Sequence, residues 1–134
     1  MSENIFRSTC PISSSLDLFG DKWTLLIVRD LLYHGSRTFK DLFGSEEKIP
    51  SSRLADRLKK LEKMDAITKE NHPTNKKVFI YKLTQKGKDL APAIVDLITW
   101  GNKYLNEHIS EESKAFAKNL EENREGVLDK LQNT

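Results

Sequence analysis

With 134 residues, 37% of them hydrophobic and 31% charged, and a mean hydropathy of −0.58, the chain has the makeup of one soluble, helix-leaning domain. No apolar run nears the ~20 residues of a membrane span and no basic-then-apolar leader opens the sequence; one cysteine and the scattered His34, His72 and His108 argue against disulfide, metal or cofactor sites, so a cytoplasmic protein is expected. Net charge is only +2, yet residues 51–86 hold ten basic and four acidic side chains, net +6, which points to a local polyanion contact; residues 106–134 hold four and seven, net −3.

Pro11 suits a helix start, and Ile12, Leu16 and Phe19 make an apolar stripe on a short helix ending at Gly20. Lys22 to Tyr33 forms a second helix, apolar nearly all round and therefore central, with Asp21 as its cap and Gly35 after its end. Thr38 and Asp41 have capping-box spacing and open a short third helix through Phe39, Leu42 and Phe43. After a polar turn at 45–49, Pro50 and Ser51 start a fourth helix that reaches about Met64. Ala66 to His72 and Val78 to Leu83 read as strands of a hairpin with Lys76 and Lys77 in its turn. Thr84 caps a long fifth helix to about Leu105, apolar on two sides. Its stripe of Leu90, Ile94, Leu97, Gly101 and Tyr104, with Ile98 on the other face, is expected to serve a second subunit. Ser110 caps a sixth helix with Phe116, Leu120, Val127 and Leu131 inside and an acidic outer face.

The fourth helix carries the chemistry. At 100° per residue, Leu54, Leu58 and Leu61 share the inner edge. Ser52, Arg53, Asp56, Lys59, Lys60 and Lys63 lie opposite, with Arg57 at the border. A face that starts short and polar and becomes basic suits a helix in the DNA major groove. Its first turn reaches base edges, its arginines pair with guanine and its lysines meet phosphates. A charged helix face is more often merely solvated; the basic hairpin that follows tips the balance toward a winged helix-turn-helix. The fold class is thus mostly α with a small β-hairpin. One domain is expected over residues 1–134, with a winged core at about 10–83 and helices for dimerisation and tail at 84–131. No G-x-G-x-x-G, phosphate loop, G-x-S-x-G or nucleophile–base pair is present, which argues against an enzyme.

Several segments together resemble HxlR-type winged helix-turn-helix regulators of the MarR-like superfamily. They are Cys10-Pro11, Leu16 to Trp23, Leu25 to Leu31, Arg37 to Leu42, Ile49 to Glu62, Tyr81 to Gly87 and Trp100-Gly101. The likeness spans roughly residues 10–105. It departs at Asp65-Ala66, where the family usually has glycine after the recognition helix. The resemblance implies a bacterial transcription regulator that binds a pseudo-palindromic operator in double-stranded DNA as a homodimer. Carried over by position, Ser51, Ser52, Arg53, Arg57 and Lys60 face the groove, Lys76 and Lys77 form the wing, and Arg37 and Thr38 meet the backbone.

Cys10 immediately precedes a helix, whose partial positive charge favours a thiolate, and relatives with a cysteine there include sensors of oxidants and electrophiles. Cys10 is therefore a candidate redox sensor, against the plainer role of a packing residue. Two alternatives stay open. One is a winged-helix protein-interaction module. The other is a regulator that takes a small aromatic ligand near Trp23 or Trp100, without thiol sensing, although such rings more often serve as core and interface aromatics.

Overall fold

The computed structural model describes residues 5–134. Its elements run α1 (Pro11–Phe19), α2 (Thr24–His34), β1 (Ser36–Thr38), α3 (Phe39–Phe43), α4 (Ser51–Lys63), β2 (Ile67–Asn71), β3 (Phe79–Leu83), α5 (Gln85–Lys88), α6 (Ala91–Tyr104), a 3₁₀ turn (Asn106–His108) and α7 (Glu111–Gln132). This is a winged helix-turn-helix: α3 and α4 are the motif helices, and the β2–β3 hairpin is the wing. Residues 1–4 of the domain proposed from the sequence lie outside the described residues. No helix among the described residues is long and apolar enough to cross a membrane.

The core is built on α2. Ile27, Val28, Leu31 and Leu32 are almost wholly buried. They meet Leu54, Leu58 and Leu61 of α4, Ile67 of β2, Tyr81 and Leu83 of β3, Ile94 and Val95 of α6, and Leu120, Val127, Leu128 and Leu131 of α7. α2 starts at Thr24, two residues later than the sequence suggests, after a turn at residues 21–23. Gly35 ends it at φ 80°, a left-handed conformation that glycine adopts without penalty.

Three features differ from the expected elements. First, the sheet has three strands, not two: β3 lies between β2 and β1, antiparallel to both, with Arg37 opposite Tyr81. Ser36-Arg37-Thr38 has no apolar alternation, so only the open edge of β3 recruits it. Second, the long helix after the wing is broken. Thr84 caps a single turn through the Gly87 amide, Asp89 closes it, and α6 then begins with Pro92 in its first turn. Proline has no N–H to donate and disfavours a helical residue before it, so a helix can start there but not run through. Third, α7 is kinked at Asn123, whose φ of −153° is not helical and whose Oδ1 accepts from the Gly126 amide at 3.1 Å. Asn123 thus caps a second helical segment and lets both halves of α7 reach the core.

Candidate nucleic-acid interface

α3 is fixed by a complete capping box. The Asp41 amide donates to the Thr38 hydroxyl and the Thr38 amide to the Asp41 carboxylate, both at 3.1 Å. The Thr38 amide bond, the largest influence, and the charges of Arg37 and Lys40 hold the Asp41 carboxyl below its ordinary value. The turn to α4 is anchored by Ile49, buried, and by Arg29 of α2, which grips Glu47 through both terminal nitrogens at 2.8 and 2.9 Å and also meets Asp30. That grip raises the Arg29 pKa and lowers that of Glu47, so the pair stays charged. Charge spacing gave no hint of Arg29–Glu47, whose partners are 18 residues apart.

With Leu54, Leu58 and Leu61 inward, α4 turns Ser51, Ser52, Arg53, Lys59, Lys60 and Lys63 to solvent. Lys60 lies 3.4 Å from Asp56 and stays largely exposed. The wing begins beside this face. Lys76 and Lys77 are exposed in its turn, which is tied by bonds from the Lys77 amide to Asn75 Oδ1 and from the Thr74 amide to His72 Nδ1, both 3.1 Å. Lys69 sits over the Phe79 ring at 4.3 Å. Arg37 is partly exposed on β1, 3.9 Å from Asp41, and the Thr38 side chain is committed to its cap. An open cleft of about 630 Å³ separates α3 from the wing, lined by Lys40, His72, Lys77 and Phe79 among others. It is remote in sequence from Trp23, which packs against the core, and from Trp100.

Arg57 departs from the expected groove-facing position. Its side chain is 17% exposed, its Nε donates to Asp21 Oδ2 at 2.9 Å, and its Nη1 pairs with Asp56. Asp21 also accepts from the Trp23 and Thr24 amides at 3.0 Å and from the Thr24 hydroxyl at 2.5 Å, which ties the turn leading into α2; the N-cap position itself, expected at Asp21, is held by Trp23. Burial pushes the Asp21 carboxyl up. The Thr24 hydroxyl, the Arg57 guanidinium and the two amides outweigh burial and lower it to about 2.

The expected subunit-facing stripe is also redrawn. Ile94 is 5% exposed and belongs to the chain's own core, against which Leu90 and Ile98 also pack. The apolar side chains left outside are Leu97, Trp100 at 58% and Tyr104 at 60%; the last two rings lie 5.2 Å apart. Gly101 on the same helix borders open space. Ile12, 71% exposed, and Leu16 leave α1 equally bare. Cys10 is exposed at the N-cap of α1, with an extended backbone, and the Ser14 amide donates to its carbonyl.

Comparison with known proteins agrees with this architecture. The chain is 35% identical over 94 residues to the uncharacterized HTH-type transcriptional regulator Rv3095 of Mycobacterium tuberculosis, covering 70% of this chain and 58% of that protein. It thus spans less than two thirds of the mycobacterial relative's length. It is 30% identical over 111 residues to the HTH-type transcriptional regulator YodB of Bacillus subtilis, covering 81% and 98%. The reduced form of YodB superposes with a TM-score of 0.59 over 72% of this chain and 95% of that one, at 30% identity. The crystal structure of PA1607 superposes with a TM-score of 0.67 at 30% identity over 78% and 70%. Residues 18–109 match the HxlR-like helix-turn-helix model, and the chain belongs to that family.

Proposed function

We infer that this chain is a cytoplasmic, sequence-specific transcriptional regulator of bacteria that binds a pseudo-palindromic operator as a homodimer. The observation that carries this is the α4 face. Three buried leucines fix its orientation, and Arg53, Lys59, Lys60 and Lys63 project from it next to the exposed Lys76 and Lys77 of the wing. Ser51, Ser52 and Arg53 in the first turn are the base readers, Lys60 meets a phosphate, the wing lysines grip the flanking backbone, and Arg37 with the Thr38 corner contacts it near α3. Residues 10–83 supply this surface. Residues 84–131 supply the dimer helix and the tail, and the bare faces of α6 and α1 support pairing of two copies. A two-fold dimer sets its recognition helices one DNA turn apart, about 34–36 Å.

The finer reading makes Cys10 a thiol sensor. Its exposure at the start of α1, beside Ile12, supports it, and YodB, similar to this chain, has been solved in reduced, diamide-treated and quinone-bound forms. Modification at the start of α1 would tilt one subunit against the other and take the recognition helices out of register.

The test is mobility shift on the DNA upstream of the chain's own gene, across a salt series. Specific retardation that weakens steeply with salt is expected. Arg53→Ala should cost the operator about 1–3 kcal/mol, while Lys76→Ala with Lys77→Ala should weaken all sequences alike and flatten the salt slope. Equal affinity for every duplex would overturn sequence-specific binding. For the sensor, a quinone should release wild-type protein and spare Cys10→Ser; equal responses would make Cys10 a packing residue.

A further inference from the structure

Arg57 is an arginine on a basic recognition helix whose two engaged nitrogens point at carboxylates. One of those carboxylates, Asp21, lies outside the helix-turn-helix, 36 residues back in the chain. Asp21 follows Gly20, the last residue capping α1, and its carboxylate is also held by the amides of Trp23 and Thr24 and the Thr24 hydroxyl at the start of α2. The contact therefore joins the middle of α4 to the corner between α1 and α2. α1, like α6, carries a bare apolar face, so this corner is where subunit pairing through α1 would meet the reading head.

We propose that Asp21 and Arg57 form the contact that sets the angle of the recognition helix, and that Arg57 is a positioning residue rather than a reader of a base edge. The proposal rests on the DNA-binding role above and adds how the groove-facing residues are aimed. Two of the five guanidinium N–H donors are committed to carboxylates and the side chain is only 17% exposed, which restricts what it can present to a base edge. Loss of either partner frees α4 to rock on its three leucines, and Ser51, Ser52 and Arg53 at its tip then miss their register.

Charge alone predicts the opposite of this proposal for one variant. Asp21→Asn makes the protein more positive, and Arg57→Ala makes it less so. Simple electrostatics would strengthen DNA binding in the first and weaken it in the second. Positioning predicts that both weaken the operator by about tenfold, and that the double variant loses no more than the larger single loss, as for two halves of one contact. Asn at position 21 still accepts the two amides through Oδ1, so α2 keeps its start; Arg57 Nε uses that same oxygen position, so Asp21→Asn weakens the contact by removing its charge rather than its acceptor. Arg57→Lys keeps the charge but has no guanidinium Nε, and is expected to lose as much as Arg57→Ala.

The experiment measures affinity of the full chain and these variants for the upstream duplex and for a random duplex of equal length, with salt slopes. Amide exchange of α4 in the free protein is followed in parallel. Expected are parallel tenfold operator losses, unchanged salt slopes, and exchange of the α4 amides about tenfold faster in Asp21→Asn. Opposite signs for the two single variants, additive losses, or a slope reduced by about one in Arg57→Ala alone would overturn the proposal. So would unaltered α4 exchange, a result that needs no DNA. If wild type does not distinguish the two duplexes, the regulator reading fails while the exchange measurement still decides the contact.

Discussion

The Thr84 hydroxyl donates to the Asp65 carbonyl at 2.6 Å and so holds in place a residue whose φ is 63°. Around it the Ala66 amide donates to the Leu61 carbonyl, the Thr84 amide to the Ala66 carbonyl, and Lys86 Nζ to the Met64 carbonyl at 2.8 Å. The end of α4 and the start of α5 are thereby tied together. The price is a left-handed aspartate with its negative charge at the negative end of a helix.

Asp65→Gly is therefore expected to stabilise the chain. Glycine adopts φ 63° freely, and removing the carboxylate relieves repulsion from the last carbonyls of α4. A gain of about 1 kcal/mol is expected, seen as a melting point higher by about 3 °C. The carbonyl that Thr84 binds belongs to the backbone and survives the substitution. A lower melting point would mean that the Asp65 side chain makes a contribution larger than its strain.

Gly87 sits against the same junction. A Cβ there would lie 2.2 Å from the Ala66 carbonyl oxygen and 2.8 Å from Leu83 Cδ2. The oxygen is backbone and already accepts from Thr84, so it cannot yield cheaply. Gly87→Ala is expected to cost about 2–3 kcal/mol, the penalty of forcing packed backbone apart, read as a lower urea midpoint at unchanged slope. An unchanged midpoint would show that α5 can lift off without loss.

The sequence was informative wherever one face of an element met the core. Leu54, Leu58 and Leu61 at helical spacing marked the inner edge of α4, and Thr38 with Asp41 marked the start of α3. It failed where both faces are apolar. In α6, periodicity could not tell which of Ile94 and Trp100 looks inward, because that depends on which side α2 and α7 occupy. It failed again at long-range polar pairs. Arg57 read as a border residue of a basic face, and nothing near it in the chain announced Asp21. Asn123 was hidden inside a stripe of apolar spacing that continues on both sides of the kink.

Asp21 should also make stability depend on acid. Its carboxyl is lowered in the folded protein to about 2 from an ordinary 3.8, so the unfolded chain binds the proton more readily. The stabilisation is complete above about pH 4 and is lost as pH falls toward 2. The side chain is 26% exposed, so water screens part of the effect, and a loss of about 1–2 kcal/mol is expected across that window. Urea unfolding at pH 2, 3, 4 and 6 measures it. Asp21→Asn has no proton to take up and should show a shallower decline. Parallel declines in both proteins would assign the acid sensitivity to other carboxylates.

The bare stripe of α6 gives the last prediction. Leu97, Trp100 and Tyr104 are spaced three and four apart and lie mostly outside the chain's own core, whereas Ile94 on the same helix lies inside it. The two positions should therefore fail in different ways. Trp100→Glu places a charge where a second copy is proposed to dock, leaves the buried core untouched while giving up the Tyr104 ring contact, and removes an aromatic of the type that dominates interfaces. At micromolar concentration it should sediment as a monomer with a near-normal melting point when extrapolated to low concentration. Its operator affinity should fall, because each half-site must then be bound separately. Ile94→Ala should instead cost about 2–5 kcal/mol of folding stability by leaving a cavity, while the folded fraction still dimerises. A wild-type chain that sediments as a monomer would remove the interface. A Trp100→Glu chain that remains dimeric would move it off this stripe, toward α1 with Ile12 and Leu16.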